Sequence, residues 1–256
     1  MSEIIAVMNQ KGGCGKTTTV VNTATSLAVM GKSVLVIDMD PQGNATTSFG
    51  IDKTKLENTI YDAIIGDVSV KKVTIPTFIK NLFIVPSNIS LSGAGVELSK
   101  KENYHIVLKE TLKDLPPLFD YIFIDLPPSL GVITVNALVA ADSVLIPIQA
   151  EYYALEGLSQ LIHTIELVRD RLNKRLKIEG VVFTMYDART NLSLQVIENV
   201  RENLNQKIYN TIIPRSVRLA EAPSYGLPIN IYDRKSTGAK AYRALAEEII
   251  EKGDEE

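Results

Sequence analysis

The stretch from Asn9 to Thr18 contains the residue types that hold phosphate groups. It reads Asn-Gln-Lys-Gly-Gly-Cys-Gly-Lys-Thr-Thr, after an apolar run and before a helical pattern. Glycines let backbone N–H groups approach phosphate oxygens, and a helix N-terminus adds the positive end of its dipole. The Lys16 ammonium can reach the β and γ phosphates, and the Thr17 hydroxyl can serve Mg²⁺. The predicted nucleotide-phosphate site consists of Lys11, Gly12, Gly13, Cys14, Gly15, Lys16, Thr17 and Thr18.

This loop departs from the usual phosphate-loop pattern at one position. G-x-x-x-x-G-K-[ST] places a glycine five residues before Gly15, where this chain has Gln10, and the chain carries an additional lysine at Lys11. A glycine-rich turn that binds nothing is the simplest alternative, but it would not require a strand before it and a helix after it. A dinucleotide-binding G-x-G-x-x-G needs a glycine spacing that is absent here.

Carboxylates follow two other apolar runs. Asp38 and Asp40 come after the run 34–37, and Asp125 comes after the run 121–124. Open α/β sheets place their chemistry at the carboxyl ends of such buried strands. We therefore expect Asp40 to orient an attacking water, Asp38 to support the Mg²⁺ shell or the loop, and Asp125 to point toward Mg²⁺. The catalytic candidates are Lys11, Lys16 and Asp40, and the metal candidates are Thr17, Asp38 and Asp125.

Apolar runs and helical patterns alternate along the whole chain. The predicted strands cover residues 4–8, 34–37, 82–85, 121–124, 143–148, 178–184 and 208–213. The predicted helices cover residues 16–30, 59–65, 154–172, 192–204 and 238–250, with a further helical region within 97–115. This alternation without a linker predicts an α/β fold: one doubly wound, mostly parallel sheet flanked by helices, in a single P-loop domain over residues 1–256.

Composition and charge limit the classes of function. Hydrophobic residues make up 45% and charged residues 22%, as in soluble globular proteins. No apolar run of about 18 residues and no signal-peptide pattern occurs, so we expect a cytoplasmic protein without a membrane segment. One cysteine, Cys14, excludes a disulfide framework within the chain. The chain has a net charge of −3, but residues 169–243 form a basic region with 14 Lys and Arg against 7 Asp and Glu. This basic region predicts an anionic partner.

Taken together, these segments resemble the ParA/Soj partition ATPases of the deviant Walker A group. The resemblance is carried by residues 11–18, 38–44, 125–128, 186–190 and 218–224, which span nearly the whole chain. It implies an ATPase that uses ATP and Mg²⁺ and forms a nucleotide-dependent homodimer, in which Lys11 reaches the phosphates bound by the partner. It also implies that the ATP-bound dimer binds DNA without sequence preference on the nucleoid, and that a ParB-like protein stimulates hydrolysis.

For DNA contacts, the family pattern points to Arg189 and Arg218, and Arg215 lies between them in the sequence. The alternative for each is an ordinary solvated arginine. Other cations of the basic region join them as candidates, namely Lys174, Lys207, Arg234, Lys235 and Lys240. We expect about four to six of these side chains to neutralise DNA phosphates.

Other functions are less well supported by the residues. A membrane-recruited positioning ATPase similar to MinD would need a basic amphipathic terminal helix, because anionic lipid repels acidic residues. This terminus instead carries Glu247, Glu248, Glu251, Asp254, Glu255 and Glu256. An iron–sulfur carrier needs cysteines outside the loop. A GTPase would need a carboxylate at the position of Leu176, two residues after Lys174. A nucleotide-binding module without turnover is the remaining alternative.

Overall fold

One sheet forms the centre of the molecule. The computed structural model describes residues 2–66, 68–151 and 154–253. Its eight strands in these residues are β1 Glu3–Val7, β2 Val34–Asp38, β3 Ile75–Pro76, β4 Leu82–Val85, β5 Tyr121–Asp125, β6 Ser143–Gln149, β7 Lys177–Tyr186 and β8 Ile208–Pro214. Their order is β3-β4-β2-β5-β1-β6-β7-β8, and only the short edge strand β3 pairs antiparallel among them. The predicted fold class is confirmed.

The strands place their side chains alternately in two apolar layers. In β1, Ile5 and Val7 pack into one layer and Ala6 into the other. In β2, Val36 and Ile37 divide in the same way. Because helices cover both faces, both sets of side chains must be apolar, and this is why the strands read as continuous apolar runs.

Twelve helices in the described residues cover the two faces. They are α1 Lys16–Val29, α2 Asn44–Ser48, α3 Ile60–Ile64, α4 Val70–Val73, α5 Ala94–Leu98, α6 Val107–Leu112, α7 Val132–Ala140, α8 Ala154–Arg171, α9 Asn191–Asn203, α10 Val217–Glu221, α11 Ile229–Tyr232 and α12 Thr237–Gly253. Leu27 of α1 and Leu245 of α12 lie in the layer of Ile5, whereas α7, α8 and α9 pack on the opposite face. None of the described helices has the length and apolar character needed to cross a bilayer.

Some elements differ from the sequence-based expectation. The helical region within 97–115 is divided, because Asn103 adopts a left-handed φ of 57° between α5 and α6. Asparagine tolerates this conformation better than most residues, and it interrupts the helical hydrogen-bond pattern. Helix α7 was not predicted, because its nearly all-apolar sequence lacks an amphipathic period. Of the acidic terminal residues, Asp254, Glu255 and Glu256 lie outside the described residues.

Strand order brings the chemistry-bearing segments to one edge of the sheet. Asp125 at the end of β5 pairs in register with Val7 of β1 on one side and with Asp38 of β2 on the other. From β1 the chain first goes to one side, to β2, β3 and β4, then returns through β5 next to β1 and continues on the other side with β6, β7 and β8, so the strand order reverses at β1. In open α/β sheets, ligands bind in the crevice at such a point.

A close contact between two loops gives a stability prediction. Gly226 has a φ of 65°, and a Cβ there would lie 2.7 Å from the Cα of Gly50. We expect Gly226→Ala to lower the free energy of unfolding by about 1–3 kcal/mol, because it adds backbone strain and a steric overlap. Urea unfolding followed by circular dichroism would measure this difference.

The matched control is Gly95→Ala in α5, where an added Cβ meets no atom within 4 Å. This variant should be neutral or stabilised by up to about 1 kcal/mol, because alanine favours helix. Equal destabilisation of the two variants would contradict the importance of the Gly226 contact.

Candidate functional site

The loop between β1 and α1 has the geometry of an anion cradle. Gly13 and Gly15 have φ values of 72° and 92°, which only glycine adopts readily. Helix α1 starts at Lys16 without a side-chain cap, so the N–H groups of its first turn are available to a ligand. Burial raises the pKa of the Cys14 thiol, which fits a loop-filling residue better than a reactive one.

The two loop lysines have different environments. Lys16 is buried, and its ammonium donates a hydrogen bond of 3.1 Å to the carbonyl oxygen of Lys11, so it lies across the loop. The Lys11 side chain is half-exposed and forms an ion pair with the carboxylate of Glu151. Lys11 is thus held by its own chain in this structure, and its predicted contact with a partner's phosphates stays a prediction.

Thr17 and Asp125 form the part of the site suited to a metal ion. The Thr17 hydroxyl donates to Asp125 Oδ2 at 2.7 Å. Asp125 is fully buried, and its Oδ1 has no hydrogen-bond partner among the described residues. Burial and the negative charge of Asp38 raise the pKa of the Asp125 carboxyl well above its usual range. A buried, unsatisfied carboxylate oxygen beside a threonine hydroxyl fits Mg²⁺, which takes few protein ligands when phosphates supply the others.

Asp38 holds the following loop. Its Oδ2 accepts hydrogen bonds from the Thr46 N–H at 2.8 Å and the Thr46 hydroxyl at 2.7 Å. Its Oδ1 accepts from the Asp40 N–H at 3.1 Å. Burial raises the pKa of Asp38 to about 6, against the opposing effect of the Thr46 hydrogen bonds. Of the two roles expected for Asp38, the geometry favours support of the loop over a direct place in the metal shell.

The phosphate cleft is a cavity of about 540 Å³ in which the loop faces Asp40. Asp40 Oδ1 accepts the N–H of Gln42 at 2.9 Å, which fixes the carboxylate at the cavity wall. Among the described residues, no group of three or more His, Cys, Asp or Glu could hold a metal ion. Sequence reasoning missed four residues of this wall, Gln42, Asn44, Pro128 and Met185. The first three lie within four residues after Asp40 or Asp125, and this closeness in sequence to the predicted carboxylates could have indicated them.

An apolar cavity of about 340 Å³ adjoins the phosphate cleft and shares Gly15, Thr18 and Met185 with it. Its other walls come from the ends of β7 and β8, from α10 and from α12, through Thr184, Ile213, Pro214, Arg215, Ser216, Leu219, Ala220 and Tyr242. An apolar pocket beside a phosphate cradle suits the flat base of a nucleotide. No sequence pattern indicates this cavity, because its walls come from distant segments.

Three of the predicted DNA-contacting arginines lie near this same edge. Arg189 follows β7, Arg215 follows β8, and Arg218 lies in α10, and all three are exposed. The Arg215 N–H donates to the Tyr186 carbonyl at 2.9 Å, which ties the two strand ends together.

The grouping of Lys174 and Lys207 with these arginines is wrong. Lys174 precedes β7 and Lys207 precedes β8, so both lie at the amino ends of parallel strands whose carboxyl ends lead to Arg189 and Arg215. The ten residues of β7 place the two ends roughly 30 Å apart. Proximity in sequence did not imply a common surface here, because each strand carries the chain from one edge to the other.

The unpaired oxygen of Asp125 leads to a prediction. Asp125→Asn should leave the ligand-free protein equally or more stable, because it removes a carboxyl whose ionisation is disfavoured by burial and by the charge of Asp38. It should also abolish the additional stabilisation that Mg²⁺ gives in the presence of ADP, which is about 2.7 kcal/mol at a ligand concentration of 100 Kd. Thermal unfolding with ADP and either Mg²⁺ or EDTA would measure both effects.

The matched control is Asp120→Asn at the other end of β5, where Asp120 Oδ2 accepts the Ser33 N–H at 2.7 Å. This variant should keep the full Mg²⁺ effect. A full Mg²⁺ effect in Asp125→Asn as well would remove Asp125 from the metal site.

Comparison with known proteins identifies the family. Residues 2–178 match the AAA domain family. Sporulation initiation inhibitor protein Soj of Bacillus subtilis (strain 168) is 52% identical over 99% of this chain and 100% of its own length. Chromosome partitioning protein ParA of Myxococcus xanthus (strain DK1622) is 49% identical over 98% of this chain and 89% of its own. A solved structure of cobyrinic acid a,c-diamide synthase from Mycobacterium smegmatis, with bound ATP analogue and magnesium, has a TM-score of 0.86 at 36% identity and covers 98% of this chain and 95% of that one. This chain therefore belongs to the ParA/Soj family of chromosome-partitioning ATPases, as its motifs predicted.

Proposed function

We propose that this protein is an ATP-dependent switch for DNA segregation. Its ATP-bound dimer binds DNA without sequence preference, and slow hydrolysis, stimulated by a ParB-like partner, releases it. The observation that carries the proposal is a shared wall: the segment 214–220 lines the apolar cavity, with Arg215 among the lining residues, and the same segment carries the exposed Arg218. In the proposed switch, occupation of the nucleotide site changes the position of these two arginines.

ATP fits the two adjoining cavities. The base enters the apolar cavity, and the triphosphate lies in the phosphate cleft against the N-terminus of α1 and the Lys16 ammonium. Thr17 and Asp125 would hold Mg²⁺, whose charge would offset the negative charge of the phosphates. The Thr184 hydroxyl supports the loop from behind, by donating to the Cys14 carbonyl at 2.7 Å.

Hydrolysis requires a water in line with the γ-phosphate. Asp40 lines the cleft opposite the phosphate loop and is fixed by the Gln42 N–H, so it orients that water. The water oxygen bonds to the γ-phosphorus as the bond to the β–γ bridging oxygen breaks, which gives ADP and phosphate. Lys16 stabilises the charge that develops on the phosphate oxygens.

Lys11 provides the second cation. Within one chain it is paired with Glu151, and the half-exposed side chain is free to exchange this exposed partner for another anion. In the proposed dimer, it contacts the phosphates bound by the partner chain and acts there as a finger arginine does in other nucleotide hydrolases.

The names of the relatives supply the cellular role. Soj and ParA are described as a sporulation initiation inhibitor and a chromosome partitioning protein, and we carry the partitioning role over to this chain. With DNA as its anionic partner, the protein would work in the cytoplasm on the nucleoid.

The membrane-recruited alternative is less well supported. The apolar face of α12 is buried in the core through Tyr242, Leu245 and Ile249. Glu248 of the same helix accepts the backbone N–H groups of Asn210 and Thr211 at 2.9 and 2.8 Å. A helix docked in this way does not offer an apolar face to lipid. Flotation with anionic liposomes and ATP separates the two functions, because only the MinD-like one gives ATP-dependent recovery with the lipid.

The first prediction for this function concerns Lys11 and Asp40. Lys11→Ala should keep some ATP binding and lose ATP-dependent dimerisation, with partner-stimulated phosphate release lowered by about 10³-fold. Asp40→Ala should bind ATP and lose turnover. Phosphate-release assays with DNA and partner present, together with size-exclusion chromatography in ATP, measure these effects.

The control is Lys55→Ala, which removes an exposed lysine paired with Asp52 and should change neither property. Equally negligible phosphate release by the wild type and Asp40→Ala would favour a binding module without turnover. Survival of both dimerisation and hydrolysis in Lys11→Ala would leave Lys16 and Thr17 as the only essential parts of the loop.

The second prediction concerns DNA. A random-sequence duplex should bind with ATP but not with ADP or without nucleotide, and the affinity should fall with salt at a log–log slope of roughly −4 to −5. Arg189→Glu combined with Arg218→Glu should abolish the binding. Equal binding in all three nucleotide states, or insensitivity to salt, would refute the switch.

A further inference from the structure

Two of the three arginines at the predicted DNA surface, Arg189 and Arg218, are paired with carboxylates of their own chain. Arg189 donates from Nε to Asp187 Oδ1 at 2.8 Å and from Nη2 to Oδ2 at 2.6 Å. Arg218 Nη1 lies 3.2 Å from Glu221 Oε2, and its Nε lies 3.8 Å from Asp233 Oδ2. The region that should attract an anion is thus locally neutralised at both positions.

The Arg189 pair uses the geometry that a phosphate would use. Two parallel N–H···O bonds join the guanidinium edge to the carboxylate, and a phosphate group takes the same bidentate arrangement. The Arg189 side chain is 84% exposed and the Asp187 side chain only 22%, so the carboxylate lies beneath the guanidinium. A phosphate arriving from solvent must replace Asp187 on this edge or use only the remaining N–H groups.

Asp187 is also fixed in place. Its Oδ1 accepts the backbone N–H of Arg189 at 3.0 Å, and its carbonyl oxygen accepts the Thr190 N–H at 3.1 Å. The hydrogen bonds from Arg189 hold the pKa of the Asp187 carboxyl well below its usual range, so the group stays ionised at physiological pH. The competing charge is therefore permanent.

We infer that Asp187 is an intramolecular competitor of DNA phosphate for Arg189, and that it lowers the affinity of the protein for DNA. Glu221 plays the same part for Arg218. The inference rests on the proposed function, since it assumes that Arg189 meets DNA. Its consequence is a surface that holds DNA weakly enough to release it, although it carries several arginines.

The test uses Asp187→Asn, which keeps an Oδ1 acceptor for the Arg189 backbone N–H, removes the charge and replaces Oδ2, the acceptor for Arg189 Nη2, with an amide nitrogen that cannot accept. Its affinity for a random-sequence DNA duplex is measured by fluorescence anisotropy with a slowly hydrolysed ATP analogue and Mg²⁺. We expect binding up to about fivefold tighter than wild type, the range that an exposed ion pair spans. Glu221→Gln is a weaker probe, because Glu221 also accepts the Tyr232 hydroxyl at 3.2 Å.

Two comparisons separate competition from a general change of charge. Glu198→Gln removes an exposed carboxylate from α9, the helix after the same loop, and should tighten binding less than Asp187→Asn. In an Arg189→Ala background, Asp187→Asn should gain no more than Glu198→Gln does. The Arg189→Ala change alone should reduce the magnitude of the salt slope by about one.

The outcomes distinguish this inference from the function on which it rests. No ATP-dependent binding by the wild type would overturn both. ATP-dependent wild-type binding with an Asp187→Asn gain that equals the Glu198→Gln gain, or that persists undiminished without Arg189, would overturn the inference alone. A gain that disappears with Arg189 supports it.

Discussion

The site depends on two buried carboxylates that lie side by side, Asp38 and Asp125. They end adjacent parallel strands, burial raises the pKa of both carboxyls, and the negative charge of Asp38 raises the pKa of Asp125 further. The chain balances one of them by the hydrogen bonds of Thr46. Among the described residues, one oxygen of the other carboxyl has no hydrogen-bond donor. In the proposed site, a divalent cation would complete this arrangement.

The cationic side chains at the ligand-binding edge form exposed ion pairs, unlike the two buried carboxylates. Lys11, Arg189 and Arg218 each have a carboxylate partner within the chain, and each of these pairs is largely open to solvent. Exposed pairs contribute little to stability, so an arriving phosphate can replace the carboxylate at low cost. In this protein the buried carboxylates favour the binding of a cation, whereas the exposed carboxylates weaken the attraction of the neighbouring lysine and arginine side chains for anions.

Much of the site could be predicted because its parts are local. The loop 9–18 is one short continuous segment, and so is each strand end that carries a carboxylate, in β2 and in β5. Parallel strands then bring their carboxyl ends together at one edge of the sheet. The apolar cavity could not be predicted, because Thr18, Met185, Pro214 and Tyr242 meet only through tertiary packing. The helix α7 was missed for lack of a polar face, and the wrong grouping of two lysines arose because net charge was counted along the sequence instead of across the surface.

Met185 lies where these features meet. It has a left-handed φ of 53°, lines both cavities, and stands next to Tyr186, whose carbonyl accepts the Arg215 N–H. In the proposed switch, this connection links the binding of ATP thermodynamically to the binding of DNA, and linkage acts equally in both directions. If ATP raises the affinity for DNA by some factor, DNA must raise the affinity for ATP by the same factor. A protein that is bound to DNA therefore binds ATP more tightly than a free one does, so dissociation of ATP is disfavoured as a route to release from DNA. Hydrolysis of ATP is then the step that makes release of the protein from DNA directional.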